Sequence, residues 1–328
     1  MKIMILKNRT DSENTRPLGR VCAITGLSLL LAVTAGCGKQ GGDPVASTTL
    51  PAADQPAAQQ TQDQPSDTKP AVEWNGDAET VPEGALTVVA CPGAHEEILK
   101  MAQTALASEG IQLYVNADYD DYMMPNLLVD ADIYECNYFQ HEEYLKTFNE
   151  EQGTDLVSVG KIHFEPLGIY RGRKHSLSEL SNGDIITVPR DTANQARALK
   201  LLADCGLLSL DPAKEDAASI EDIRDNPKGI TISLMDASQV PAAIAESAFV
   251  VMNGNYARQA LYTLDQDALA YEAPDSAAAS RYANIIAVKR ENAEDPRVKK
   301  LVEVLQGSDL QTYMQTKYAG AVVPYAGS

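Results

Sequence analysis

The 328-residue sequence lacks several features that direct a chain to particular classes of protein. It has no basic stripe: 46 Asp and Glu outnumber 27 Lys and Arg, for a formal net charge of −19. Binding to nucleic acid needs a basic surface that neutralises phosphates, so we expect no nucleic-acid partner. No Gly-x-x-x-x-Gly-Lys loop occurs, so any ATP hydrolysis linked to this chain is expected to belong to a partner.

Cysteine and histidine are also sparse, and neither forms a familiar pattern. The cysteines are Cys22, Cys37, Cys91, Cys136 and Cys205. No Cys-x-x-Cys pair occurs, which argues against a zinc ribbon or a dithiol redox motif. The histidines are His95, His141, His163 and His175, and their spacings match no common zinc motif. We therefore expect no bound metal and no cofactor.

The first 37 residues are predicted to be a lipoprotein signal peptide. Basic residues precede an apolar stretch over residues 21–33, which is shorter than the ~20 residues that a membrane span needs. The stretch ends in Thr34-Ala35-Gly36-Cys37, and small residues before a cysteine resemble a bacterial lipobox. We expect Cys37 to be acylated, as by palmitate, and to hold the protein on the extracytoplasmic face of the cell membrane. An ordinary cleaved signal peptide is the alternative.

Residues 38–84 are predicted to be a disordered tether. Their Pro, Gln, Ala, Asp and Thr content is too poor in apolar side chains to offset the entropy lost on folding. A flexible segment after an acylated cysteine would let a folded part reach beyond the membrane surface.

From residue 85 onward the pattern alternates between strands and helices. Predicted strands lie at residues 86–90, 111–115, within 156–170, and at 185–188, 230–234, 249–252 and 283–288. Predicted helices lie at residues 94–108, 141–152 and 192–205, after Pro296, and after a Ser308-x-x-Gln311 capping box. This alternation predicts an α/β fold with mostly parallel pairing, and its length favours two lobes.

Polar residues that follow predicted strands are the candidate ligand-binding groups, because ligands in such sheets bind beyond the carboxyl ends of the strands. One group is Cys136-Asn137-Tyr138-Phe139-Gln140-His141. A second runs from Arg190 to Arg197, in which Asp191 is a natural helix N-cap and Arg197 offers a bidentate fork for a carboxylate. The third is Met252-Asn253-Gly254-Asn255-Tyr256, with Asn284 in a later strand. On spacing alone, they predict a two-lobed binder of an anion or an amino acid.

As a set, these segments resemble the methionine-binding lipoprotein family of the MetQ/NlpA type, which serves ABC transporters. The likeness runs over residues 85–326. The motifs that carry it are Ala94-His95-Glu96-Glu97-Ile98-Leu99, Asp121-Tyr122-Met123-Met124-Pro125-Asn126, Asp132 to His141, Phe164-Glu165-Pro166-Leu167-Gly168-Ile169-Tyr170, Val188-Pro189-Arg190-Asp191 with Asn194 and Arg197, and Tyr282-Ala283-Asn284-Ile285-Ile286.

The resemblance implies a type II periplasmic-binding-protein fold, with two α/β lobes and a ligand cleft between them. Lobe 1 would comprise residues 85–165 and 284–328, and lobe 2 residues 166–283. Arg197 would grip the ligand carboxylate, while Asn253 and Asn284, with Asn194 nearby, would hold its amino and carboxylate groups. Tyr122, Phe139 and His141 would form the slot for the thioether side chain. Tyr170 and Tyr256 are further candidates for the cleft wall.

The implied function is capture of L-methionine, D-methionine or a methionine-containing dipeptide, and delivery to an ABC permease with its ATPase subunit. The chain would therefore be a binding protein and not an enzyme. Arg190 and Arg281 depart from the family pattern, which leaves another amino acid or small zwitterion as an alternative ligand. A thiol-dependent enzyme is a second alternative, because Cys91 precedes a helix N-terminus that could lower its pKa.

Overall fold

Two six-stranded β-sheets form the framework of the computed structural model, which describes residues 2–6, 81–214 and 217–327. The predicted lipobox and nearly all of the predicted tether lie outside these residues. The strands are β1 (Ile3–Ile5), β2 (Leu86–Ala90), β3 (Leu113–Asn116), β4 (Cys136–His141), β5 (Leu156–Phe164), β6 (Gly168–Arg171), β7 (Ile185–Pro189), β8 (Ser209–Leu210), β9 (Ile223–Asp225), β10 (Thr231–Met235), β11 (Phe249–Met252), β12 (Ala268–Glu272), β13 (Ala283–Lys289) and β14 (Val323–Pro324).

Helices cover the faces of these sheets. They are α1 (Ala94–Ser108), α2 (Met124–Asp130), α3 (Glu142–Gln152), α4 (Thr192–Asp204), α5 (Gly254–Gln259), α6 (Ala277–Arg281), α7 (Pro296–Leu305) and α8 (Ser308–Tyr318). In α1, buried Ile98, Ala102 and Leu106 recur at helical spacing, as the sequence predicts, and pack on the sheet that contains β2. None of the described helices has the length and apolar character to span a membrane.

The first sheet has the strand order β14-β5-β13-β4-β2-β3, and we call it, with the helices packed on it, lobe 1. The second has the order β1-β12-β6-β11-β7-β10, and we call it, with its helices, lobe 2. Each lobe has its own apolar core: Leu86 and Leu301 lie in one, Ile186 and Leu202 in the other. The α/β class with two lobes, expected from the sequence, is confirmed.

The expectation of mostly parallel pairing is wrong, because both sheets are mixed. In lobe 1, β2 pairs in parallel with β3 and β4, whereas β13 lies antiparallel between β4 and β5. In lobe 2, β7 pairs in parallel with β10 and β11, whereas β6 lies antiparallel beside β11. The chain enters β6 and β13 from the opposite lobe, at the edge where the parallel strands end. Those two strands must therefore run away from that edge.

Two local expectations also need correction. Residues 1–37 are predicted to be a signal peptide with no part in the fold, yet β1 lies within them and pairs antiparallel with β12 as an edge strand. Ile3 packs on the apolar core of lobe 2, and β12 offers it an otherwise open row of backbone groups. Ser308 is the first residue of α8 and not its cap, since Gly307 occupies the N-cap position. Helices α2, α5 and α6 and strands β8, β9, β12 and β14 were not predicted, and the segment Cys136–His141, expected at the end of a strand, is itself strand β4.

Candidate ligand-binding site between the lobes

The cleft between the lobes is lined by the ends of strands from both sheets. Strands β4, β7 and β11 all end at this edge, and β13 begins there. Asn253 directly follows β11, and Asn284 pairs with both His141 of β4 and His163 of β5. The topology thus brings the three predicted polar groups together from distant parts of the sequence.

The amino end of α4 fixes the first polar group. Asp191 is its N-cap, and its Oδ1 accepts hydrogen bonds from the Asn194 backbone N–H at 2.9 Å and from Asn194 Nδ2 at 3.0 Å. Burial raises the pKa of Asp191 to about 6, although these hydrogen bonds act in the opposite direction. Because the Asn194 amide donates to Asp191, its oxygen is directed toward the other side.

That oxygen joins the two lobes. Asn194 Oδ1 accepts from Asn253 Nδ2 at 2.8 Å and lies 3.2 Å from His141 Nε2. His141 Nδ1 accepts from the Tyr144 N–H, so the neutral ring carries its proton on Nε2 and donates it to Asn194. Burial, and then the charge of Arg197, lower the pKa of His141 to about 3.

Arg197 lies in the cleft, but its bidentate fork already has a partner. Its Nε and Nη2 donate to the two carboxylate oxygens of Glu272, at 2.8 and 2.5 Å, and Nη2 also donates to the Glu165 carbonyl at 2.9 Å. Burial would lower the pKa of Arg197, but the charge of Glu272 raises it. The remaining guanidinium nitrogen, Nη1, makes no hydrogen bond to the described residues. Of the three nitrogens of Arg197, Nη1 is therefore the one that can donate to a ligand carboxylate in this arrangement.

Glu165 lies where the chain crosses from β5 to β6. Its Oε1 accepts from His163 Nε2 at 3.1 Å, and Tyr138 hydrogen-bonds to the other nitrogen of that ring. Burial would raise the pKa of Glu165, but the His163 hydrogen bond and neighbouring positive charge lower it. Gly254 of lobe 2 packs against this carboxylate so closely that a Cβ there would lie 2.8 Å from Glu165 Cβ. Glu165 is therefore a buried anion in contact with both lobes.

Four aromatic rings pack together beside these polar groups, and we call them the aromatic box: Tyr122, Phe139, Tyr144 and Tyr256. The Tyr122 ring lies 5.6 Å from Phe139, 5.6 Å from Tyr144 and 5.0 Å from Tyr256, between ring centroids. The Tyr122 hydroxyl also donates to Asn255 Oδ1 across the cleft at 2.6 Å. Such a box offers polarisable ring faces and edges to an apolar or thioether side chain.

Two cavities lie in the cleft. The inner cavity, of about 20 Å³, is lined by Tyr122, Phe139, Gln140, His141, Tyr144, Glu165, Asn194, Arg197, Asn253, Gly254, Asn255 and Asn284. The outer cavity, of about 480 Å³, shares Tyr122 and Tyr144 with it and reaches Arg190, Asp236 and Tyr256. Since about 10–15 Å³ holds one water molecule, an amino acid can enter the inner cavity only if contacts between the lobes give way.

Several buried polar atoms around these cavities lack partners among the described residues. They include an acceptor, Asn253 Oδ1; a donor, Asn255 Nδ2; and the Tyr256 hydroxyl, which can play either role. Buried polar groups are normally hydrogen-bonded, and an unpaired one costs about 1–3 kcal/mol. Unpaired atoms of both kinds in one cleft are what a ligand bearing both a positive and a negative group would satisfy.

Most of the predicted site residues meet in the cleft. Arg197, Asn194, Asn253, Asn284, Tyr122, Phe139 and His141 line the inner cavity, and Tyr256 lines the outer one. Tyr170 lines neither, because its ring points into the core of lobe 2 against Tyr262, with centroids 5.8 Å apart. The sequence interpretation missed Glu165, Glu272, Asn255 and Tyr144 as site residues.

The two departures from the family pattern have ion partners. Arg190 pairs with Asp236 at 3.1 Å at the rim of the outer cavity, and both side chains are exposed. Arg281 pairs with Glu143 at 3.1 Å. Neither arginine lines the inner cavity.

Cys91 does not have the environment of a reactive thiol. It is fully buried, and burial raises its pKa well above its ordinary value, as do Asp120 and Asp121. The expectation that a helix N-terminus would lower this pKa is wrong. A thiolate nucleophile at this position is therefore not favoured.

One group of side chains has the composition of a metal site. Ligating atoms of His95, His163 and Glu165 lie within 4.8 Å of one another. Within the part of the chain that the structure describes, these three side chains are the candidate metal ligands. Each of the three already makes a side-chain hydrogen bond, His95 to Asn284 and His163 to Glu165. A hydrogen-bonded network accounts for the cluster without an ion.

Residues 86–326 match the NlpA lipoprotein family. The methionine-binding lipoprotein MetQ of Bacillus subtilis is 35% identical over 243 residues, which cover 73% of this chain and 87% of that protein.

Two solved structures extend the likeness to the fold. A nutrient-binding protein from Burkholderia cenocepacia, bound to methionine, matches with a TM-score of 0.69 and 32% identity, covering 73% of this chain and 99% of that one. An ABC transporter periplasmic substrate-binding protein from Coxiella burnetii matches with a TM-score of 0.68 and 32% identity, over 73% and 100% of the two chains.

Proposed function

The chain belongs to the NlpA lipoprotein family, and on that premise we propose that it captures methionine between its two lobes and delivers it to an ABC importer. The observation that carries the proposal is the set of unpaired acceptor and donor atoms around one cleft, beside the aromatic box. The match to a methionine-bound structure supports the same ligand.

The cleft offers separate partners for the two charges of an amino acid. Arg197 Nη1 is a donor for a carboxylate, and the Glu165 carboxylate and Asn253 Oδ1 are acceptors for an ammonium. The aromatic box would hold the methionine side chain, since sulfur–aromatic contacts contribute roughly 0.3–1.5 kcal/mol each. Phe139 and His141, with Tyr122, line the inner cavity and would form the wall beside that side chain.

Delivery would involve partners and segments beyond the described residues. We propose acylation of Cys37, with residues 1–37 as the signal peptide and 38–84 as the tether, so that the lobes face the extracytoplasmic side of the membrane. Apart from strand β1, lobe 1 would span residues 85–165 and 284–328, and lobe 2 residues 166–283, with the crossing at the start of β13. A membrane permease and its ATPase subunit would receive the ligand when the lobes open.

A longer ligand is the second candidate, and the outer cavity favours it. Its volume of about 480 Å³ falls in the ~300–1,000 Å³ range of ligand pockets, and it adjoins the inner cavity through Tyr122 and Tyr144. A methionine-containing dipeptide would place its second residue there. L-methionine, D-methionine and the dipeptide should therefore be compared directly.

The test is to denature the purified protein and identify the released small molecule by mass spectrometry, then to titrate the ligand-free protein by calorimetry. We expect methionine to be released, and to raise the melting temperature by binding only the folded state. Arg197→Ala and Asn284→Ala should each remove most of that rise. Arg224→Ala, at an exposed arginine paired with Asp211, is the matched control and should not. No heat with any of the three ligands would refute the proposal.

A further inference from the structure

The Ala94-His95-Glu96-Glu97 motif places a histidine directly behind one of the proposed ligand contacts. His95 lies in the first turn of α1, is 1% exposed, and lines neither cavity. Its Nε2 lies 2.8 Å from Asn284 Oδ1, and its ring packs edge-on against Tyr138, with centroids 4.9 Å apart. The direct contact of His95 with a proposed ligand group is its hydrogen bond to Asn284, and its ring also packs against His163, with centroids 5.0 Å apart.

The chemistry of this hydrogen bond fixes the direction of both side chains. An amide oxygen only accepts, so His95 must carry a proton on Nε2. Burial lowers the pKa of His95 to about 4, so the ring is neutral near pH 7 and Nδ1 carries no proton. Nδ1 is buried without a partner among the described residues. A neutral ring leaves only an acceptor there, and not an N–H.

The two cleft asparagines therefore present opposite ends to the inner cavity. Asn284 Oδ1 is held by His95, which leaves the N–H groups of its Nδ2 to face the cavity. Asn253 Nδ2 is held by Asn194 Oδ1, which leaves Asn253 Oδ1 without a partner. One amide offers donors to a ligand, and the other offers an acceptor.

We propose that His95 is a positioning residue that holds the donor end of Asn284 toward the inner cavity and so determines which end of a bound zwitterion lies there. This inference rests on the proposed function. The ligand carboxylate lies beside Asn284 Nδ2 and Arg197 Nη1, and the ammonium beside Asn253 Oδ1 and Glu165. Without the His95 hydrogen bond, the Asn284 amide is free to turn over and set an oxygen against the carboxylate.

Two substitutions separate the hydrogen bond from the bulk of the ring. In His95→Gln the side-chain nitrogen reaches the position of Nε2, whereas in His95→Asn it reaches only that of Nδ1. We expect His95→Asn to weaken L-methionine binding by about 10-fold, and His95→Gln by less than about 3-fold, since a neutral hydrogen bond contributes about 0.5–1.5 kcal/mol. Binding of L-methioninol, which has no carboxylate, should be equal in the two variants.

A double-mutant cycle distinguishes positioning from a general loss of packing. In an Asn284→Ala background, His95→Asn should weaken L-methionine binding no further, because the effect passes through Asn284. If the two losses simply add, or if His95→Gln and His95→Asn lose affinity equally, His95 acts by packing alone and the inference is overturned.

The ring itself can be observed in the wild-type protein, which avoids any dependence on folding of the variants. Nitrogen-15 NMR of labelled histidine, assigned with His95→Gln, should show His95 neutral and protonated at Nε2 at pH 7. A proton on Nδ1 would overturn the inference even if methionine binds. Protonation at Nε2 in a protein that binds no amino acid would instead leave the His95 arrangement standing and refute the proposed function.

Discussion

The buried pair of Arg197 and Glu272 allows stability and ligand binding to be tested separately. The change is Glu272→Gln, which keeps the shape of the side chain but removes its charge. Both partners are at most 3% exposed, and Glu272 also accepts the Leu167 N–H. Removing one partner of a buried ion pair costs about 3–5 kcal/mol, and we expect the lower end because glutamine can still accept a hydrogen bond.

The assay is thermal melting with and without L-methionine. For a domain of about 150–250 residues each kcal/mol moves the melting temperature by about 2–4 °C, so the ligand-free variant should melt about 6–12 °C lower. Its affinity should rise, because the charge of Arg197 is no longer neutralised by Glu272 and the ligand carboxylate becomes its counter-ion. Arg197→Ala should lower the melting temperature and lose the affinity as well.

Glu246→Gln is the matched control, since Glu246 is exposed and the same charge is removed there. It should change the melting temperature by less than about 1–2 °C, as surface substitutions usually cost under ~0.5 kcal/mol. A Glu272→Gln variant that melts at the same temperature as the control would show that the buried ion pair does not stabilise the fold. Equal loss of methionine binding in Glu272→Gln and Arg197→Ala would contradict separate roles for the two residues, because the pair would then act only as one structural unit.

Two further predictions concern close packing at Gly254 and the effect of His95 on the stability of the protein in acid. Gly254→Ala would place a Cβ 2.8 Å from Glu165 Cβ, so it should lower the free energy of unfolding, measured in urea, by about 1–3 kcal/mol. Gly327→Ala is the control, because the nearest contact of its Cβ would be at 3.6 Å, and it should not lower that free energy. Equal urea midpoints for the two variants would disprove the close packing at Gly254. The pKa of His95 is lowered to about 4 from 6.5, so its contribution to stability is complete above pH 6.5 and is lost as pH falls toward 4. The urea midpoint of the wild type should thus fall more between pH 6.5 and 4 than that of His95→Gln, and parallel curves would contradict this.

Local signals in the sequence predicted much of the fold. The helix after Asp191 was expected over residues 192–205 and forms at Thr192–Asp204, because an N-cap, an apolar stripe and a following glycine all act within a few residues. The antiparallel strands of the two mixed sheets could not be predicted from such local signals. The direction of β13 depends on where the chain returns from lobe 2, and that is a property of the whole topology.

Some residues of the candidate site could be predicted from the sequence, and others could not. Asn194 and Asn253 belong to groups of polar residues that follow predicted strands, whereas Asn284 of β13 was given its role beside them by the resemblance to the family. Glu272 was missed, because it follows its partner Arg197 by 75 residues and no local pattern marks it as a counter-ion. Tyr170 was expected at the cleft wall, but the alternation of side chains along β6 directs its ring into the core of lobe 2.

The hydrogen bond from Tyr122 to Asn255, with that from His141 to Asn194, has a kinetic consequence. For the proposed ligand to reach the inner cavity these bonds must break, so we expect loading to proceed through an open form of the protein. At low solute concentration the observed rate of loading rises in proportion to concentration. At high concentration it levels off at the rate of opening, and that plateau is the same for every solute the protein accepts.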